Sequence, residues 1–178
     1  MTREYLFAGF GGQGLLFSGK VLAYKGLIEE KNVSWLPSYG PEMRGGTANC
    51  SVIISDEPVG APIISHPDVL VAMNLPSLDK FEAAVKPGGT ILVDSSLIER
   101  KVARDDVSVY YVPATKIAGE NGFSTLANMI LMGKLLDVFG EYDVEMVHQA
   151  LGKCVSARHA DLLELNLKAM EIGRDYAE

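Results

Sequence analysis

Gly9, Gly11 and Gly14 stand at G-x-G-x-x-G spacing, directly after the apolar run Tyr5-Leu6-Phe7-Ala8 and ahead of a long helical pattern. A strand that feeds such a turn and then a helix leaves backbone N–H groups open to an anion, because the missing side chains let a ligand approach the chain. The candidate chemistry is anion binding by the amides of Gly11, Gly12 and Gly14, with the Gln13 amide in reach of a ligand or a partner chain. Close packing of the first helix on its strand explains the same glycines equally well. Both readings stay open at this point.

A dinucleotide site of the usual kind also needs an acidic residue about 20 positions on, at the end of the second strand, to bind ribose hydroxyls. Leu36, Pro37 and Ser38 occupy that place, and the nearest acid, Glu42, lies within a Gly/Pro-rich stretch from Pro37 to Gly46. An NAD-dependent enzyme is therefore disfavoured. The same stretch carries Arg44, whose planar guanidinium can fork onto a phosphate or pair with Glu42 or a partner's carboxylate. Tyr39, apolar in its body and polar at its tip, suits a ligand-facing loop or a subunit interface.

The remaining reactive types are scattered. His66, His148 and His159 stand apart from any nucleophile with an orienting third group, so a catalytic triad is not expected. Cys50 and Cys154 are too few and too far apart for a zinc site or an iron-sulfur cluster, and read as reduced, packed thiols. Asp94-Ser95-Ser96 ends a strand and reads first as a helix cap. Lys20 and Lys116 read as solvated lysines, and no catalytic or metal-binding residue is assigned.

The elements that must position the glycine turn follow from hydrophobic period and breakers. Strands are expected at Tyr5–Ala8, Val33–Leu36, Ala48–Ser55, Val69–Met73, Thr90–Asp94 and Val107–Val112. Helices are expected at Gly14–Lys31, Leu78–Val85, Leu126–Phe139, Val144–Cys154 and Ala160–Tyr176. On the first helix Leu15, Gly19, Leu22 and Gly26 share one stripe whose small members permit close approach to a sheet. The alternation predicts an α/β three-layer sandwich, a mainly parallel open sheet with a helical C-terminal region, in one domain over residues 1–178.

With 48% hydrophobic and 22% charged residues, the chain has a globular composition. A net charge of −7 without a basic run argues against nucleic acid as a partner. No segment approaches the roughly 18 apolar residues of a membrane span, and the N-terminus shows no signal-peptide pattern, so a cytoplasmic location is expected.

The turn Gly9-Phe10-Gly11-Gly12-Gln13-Gly14, together with Trp35-Leu36-Pro37-Ser38-Tyr39-Gly40-Pro41-Glu42-Met43-Arg44-Gly45-Gly46-Thr47-Ala48-Asn49-Cys50, resembles the gamma subunits of 2-oxoacid:ferredoxin oxidoreductases. The likeness runs in order through Ile53-Ile54-Ser55 to the helix at Asn128-Met129. It implies a subunit of an enzyme that oxidatively decarboxylates a 2-oxoacid to an acyl-CoA, inactive alone. Thiamine diphosphate and iron-sulfur clusters would be held by alpha, beta and ferredoxin-type delta subunits, with ferredoxin as acceptor. The likeness also implies contact with coenzyme A, which assigns cofactor contact to Gly11, Gly12, Gln13, Gly14, Ser38, Tyr39 and Arg44. The wording from Ser38 to Thr47 is closest to subunits of 2-oxoglutarate type; pyruvate and branched-chain specificity are the alternatives, as is a free-standing dinucleotide-binding protein. An apolar face meant for another subunit can also pair with itself, so a homodimer of the isolated chain is a further expectation.

Overall fold

A computed structural model of the chain describes residues 1–38 and 48–178. Its strands are β1 (Thr2–Gly9), β2 (Asn32–Ser38), β3 (Ala48–Ser55), β4 (Val69–Ala72), β5 (Thr90–Asp94) and β6 (Ser108–Val112). Its helices are α1 (Leu15–Ile28), α2 (Leu75–Phe81), α3 (Ala114–Glu120), α4 (Ala127–Val138), α5 (Val144–Cys154) and α6 (Ala160–Asp175). One sheet holds all six strands in the order β2-β3-β1-β4-β5-β6. The pairs β1–β4, β4–β5 and β5–β6 are parallel, whereas β3 is antiparallel to both β1 and β2. Five strands thus share one direction and β3 alone opposes them, which is the mainly parallel open sheet expected from the sequence.

Side-chain alternation sorts β1 onto two cores. Tyr5 and Phe7 join Val71 and Leu92 beneath α1, α4, α5 and α6. Leu6 and Ala8 join Leu70, Ile91 and Val93 against Leu78 of α2 and Ile98. The sheet is covered on both faces, more thickly on the first. All four residues of β4 are buried, as befits a short parallel strand inside two layers.

The stripe of small residues on α1 does what its spacing suggested. A Cβ on Gly19 would overlap Cys50 Sγ on β3, and one on Gly26 would lie 2.9 Å from Val33 Cγ2 on β2. α1 ends at Ile28 rather than Lys31, since Glu30 turns left-handed at φ 59°. α2 starts at Leu75, three residues earlier than its apolar period indicated, because Asn74 Oδ1 accepts from Ser77 N (2.8 Å) and Pro76 preorganises the first turn. α3 has no counterpart among the expected helices. Its first turn is capped from another strand: Asp94 at the end of β5 accepts from Thr115 Oγ1 (2.5 Å) and Thr115 N (3.3 Å).

Candidate functional site

β1 lies between β3 and β4, and the chain leaves it through α1 towards one side and returns at β4 on the other. In open α/β sheets such a reversal opens a crevice beyond the carboxyl ends of the strands, where ligands bind. The glycine turn sits there. Gly12 and Gly14 both adopt left-handed backbone, at φ 89° and 76°. Gly14 is the residue before α1, which has no side-chain cap and no acidic residue in its first turn, so its positive end faces the turn unopposed.

Register brings the second sequence motif to the same edge. Gly9 pairs with Ala48, Ala8 with Asn49, and Asn49 with Ser38. The two strand ends that flank residues 39–47 therefore emerge beside the glycine turn. Ser38 is exposed and lies two strands from Ala8, about 10 Å at ordinary strand spacing. Tyr39, Glu42 and Arg44 fall outside the described residues.

Gln13 holds the turn together. Its Oε1 accepts from Phe10 N (2.6 Å), and its Nε2 donates to Met73 O (3.0 Å) just beyond β4. The amide expected to reach outward is thus engaged within the chain, clamping the turn across the β1–β4 crevice. Among the described residues nothing accepts from the amides of Gly11, Gly12 and Gly14, which remain available to an anion.

Gly12 and Gly14 also form one wall of a cleft of about 420 Å³ between the turn and helices α1, α4, α5 and α6. Phe17, Leu126 and Leu162 give it apolar walls. Asn128 of α4 reaches its floor; its Nδ2 donates to Gly14 O (3.1 Å) and Ser18 Oγ (3.0 Å), so α4 is tied to the turn. Asn166 of α6 lines the other side. Neither asparagine was singled out from the sequence, though a buried polar residue within the apolar run Ala127–Leu136 is a signal that it serves a partner. Cys154 also borders the cleft, and burial pushes its thiol up to about 11, which leaves it protonated and inert near neutrality.

His66 lies elsewhere, its Nδ1 within 3.2 Å of Ala84 O, while His159 borders the cleft. Lys116 pairs loosely with Glu120 at 3.9 Å on the surface. Asp94 does cap a helix, but the helix is α3, through Thr115 21 residues on, and not one that directly follows β5. Among the described residues no group of three or more His, Cys, Asp or Glu is placed to hold a metal ion, and no helix is long and apolar enough to cross a membrane.

The ketoisovalerate oxidoreductase subunit VorA of Methanothermobacter marburgensis is 41% identical over 96% of the chain, which spans 35% of that relative's length. The 2-oxoglutarate synthase subunit KorC of Methanocaldococcus jannaschii is 36% identical over 85% of the chain and 82% of the relative. The crystal structure of the keto/oxoacid ferredoxin oxidoreductase gamma subunit of Geobacter sulfurreducens superposes with a TM-score of 0.85 at 31% identity, over 98% of this chain and 95% of that one. The family model of pyruvate ferredoxin/flavodoxin oxidoreductases matches residues 4–176, and the chain belongs to that family, with the fold of a gamma subunit.

Proposed function

We propose that the chain is the gamma subunit of a 2-oxoglutarate:ferredoxin oxidoreductase, a single domain over residues 1–178 that is inactive alone. The observation that carries this reading is the convergence of the glycine turn and the flanks of residues 39–47 on one sheet edge, in a chain 36% identical to a 2-oxoglutarate synthase subunit. The amides of Gly11, Gly12 and Gly14 and the dipole of α1 suit the pyrophosphate of coenzyme A, with Arg44, Ser38 and Tyr39 contributing from the adjoining segment. Gln13 then positions the turn rather than touching the ligand. Coenzyme A accepts the acyl group left by oxidative decarboxylation.

Alpha, beta and delta subunits would hold thiamine diphosphate and the iron-sulfur clusters and pass electrons to ferredoxin, in a cytoplasmic assembly without nucleic acid or membrane. A branched-chain 2-oxoacid is the second reading, favoured by the 41% identity to a ketoisovalerate oxidoreductase subunit. The test is to recover the chain with its partners from an anaerobic native extract and assay coenzyme-A-dependent reduction of a viologen. Activity with 2-oxoglutarate above pyruvate and 2-oxoisovalerate, from the assembly and not from the isolated chain, is the expected result. Recovery without large partners, or preference for another oxoacid, overturns the assembly or the substrate respectively.

A further inference from the structure

We propose that the free side of β2 is a self-association surface, on which a second copy of this chain pairs β2 against β2 in antiparallel register about a two-fold axis at Trp35. The proposal stands on how the outer strands of the sheet are finished and is independent of what binds at the glycine turn.

Those two strands differ. On β6 the N–H of Tyr111 donates to the Glu178 carboxylate and Lys101 Nζ stands 3.8 Å from the centre of the Tyr111 ring, so its free side is partly covered and charged. Among the described residues nothing lies beyond β2 in the sheet, and Asn32–Ser38 contains no charged residue. Free N–H and C=O groups on such a strand are a template for another strand, which is why edges normally carry charge or proline. The one proline of β2 fixes which groups are free. Having no N–H to give, Pro37 turns its nitrogen away from Cys50, opposite it on β3. Alternation along the strand then turns the N–H and C=O of Trp35 and Val33 outward as well. An antiparallel strand is complementary to itself, and a two-fold axis at Trp35 sets Trp35 against its counterpart and Val33 against Pro37. Trp35 exchanges both its hydrogen bonds with the second copy, and each Val33 N–H meets the Pro37 oxygen opposite, so the missing N–H leaves only the Val33 oxygen unmatched.

The side chains on this flank suit the same partner. Leu27 of α1 is 54% exposed, and Trp35 and Leu36 of β2 are 40% and 39% exposed. Tyr24, Leu27, Val33 and Trp35 border an apolar groove of about 240 Å³ between helix and strand. The two-fold axis brings the two grooves together, so that the exposed apolar residues of each copy cover those of the other. Leu36, on the opposite face of the sheet, comes over Ser34 of the second copy. A strand of seven residues is about 24 Å long, and the depth from its far face across α1 is about 20 Å. That strip buries on the order of 500 Å² per copy, or about 1,000 Å² in all, the lower bound of a specific interface, so the dimer is reversible rather than permanent. Because the pairing is antiparallel, the carboxyl ends of the two sheets point in opposite directions and both glycine turns stay accessible.

The test follows the full chain by sedimentation over a concentration series, with Trp35, its single tryptophan, as a fluorescent reporter and backbone amide exchange read by NMR. The expected result is a reversible monomer–dimer equilibrium with a dissociation constant of about 10–100 µM, as befits so small an interface. As the dimer forms, Trp35 emission should move to shorter wavelength, and exchange of the Val33 and Trp35 amides should slow about fivefold. Leu27→Lys, at an exposed helix position, should weaken association about tenfold or more by setting a charge in the apolar contact, and leave urea unfolding unchanged. A chain that stays monomeric at the highest concentration reached, or that associates without any change in the exchange of Val33 and Trp35, overturns the proposal. A Trp35 shift that appears only when separately prepared oxidoreductase subunits are added assigns β2 to one of them and overturns pairing with a second copy.

Discussion

At the scale of single residues, the two left-handed glycines of the turn have different reasons to be glycine. Among the described residues nothing lies within 4 Å of the position a methyl on Gly12 would take, so its requirement is the φ of 89° alone. At Gly14 the φ of 76° is joined by the Asn128 amide standing where a methyl would be. Gly12→Ala is therefore expected to cost about 1 kcal/mol and Gly14→Ala about 2–3 kcal/mol, the second also loosening α4 from α1. Urea unfolding of the two variants checks the order; equal losses would show that the Asn128 contact does not bear on stability. The glycines were legible because a missing Cβ is a property of the residue type. Gln13 was legible as a candidate but not in its use, since its acceptor Met73 O is 60 residues away in the sequence. Asn128 was hidden for the same reason, its partners Gly14 and Ser18 lying 114 and 110 residues away, and Asn166 because the cleft it lines is assembled by separate helices.

At the scale of elements, the crossing of α4 and α6 fixes one wall of the cleft. A Cβ on Gly133 would overlap Met170 O, and one on Gly173 would overlap Ile130 O, so each helix presses a glycine against the other's backbone. Backbone cannot move aside as a flexible side chain does, so Gly133→Ala or Gly173→Ala should each cost about 3 kcal/mol or more. The separated helices would also shift Asn166 from the cleft, and the NMR signals of Asn166 and Asn128 should both move. Stability within about 0.5 kcal/mol of the parent would contradict the tight crossing. Period and breakers located both helices to within about a residue or two, as periodic apolar stripes permit. Their mutual approach was not legible, because a glycine in a helix reads alike whether it faces solvent or a neighbour. α3 escaped for a related reason: its cap, Asp94, belongs to β5, and a rule that seeks capping residues just before a helix does not find it.

At the scale of the molecule, the two edges of the sheet are built differently. The carboxyl edge carries the open glycine turn, while the amino edge is closed by ion pairs. Lys86 reaches Glu4 (2.7 Å) and Asp68 (3.0 Å), Arg3 reaches Glu141 (2.6 Å), and Asp56 holds Lys31 and the Met1 amine. This polarity depended on strand order and on the reversal of β3, neither of which local sequence pattern encodes, so the convergence of the two motifs had to be seen in three dimensions. Because strands of a packed sheet are stiff, the amino edge should be tunable without disturbing the ligand edge. The Lys31 ammonium, with the Met1 amine, lowers the Asp56 carboxyl from 3.8 to about 2. A carboxyl lowered by folding stabilises the fold above its ordinary value and loses that contribution as pH falls towards the folded one, so stability should decline between about pH 4 and pH 2. Asp56→Asn should flatten that part of the acid unfolding profile, with only a small change at neutral pH because the pair is exposed. Pyrophosphate affinity at the glycine turn should stay unchanged in the variant, whereas a matching loss would mean that the two edges are coupled through β1.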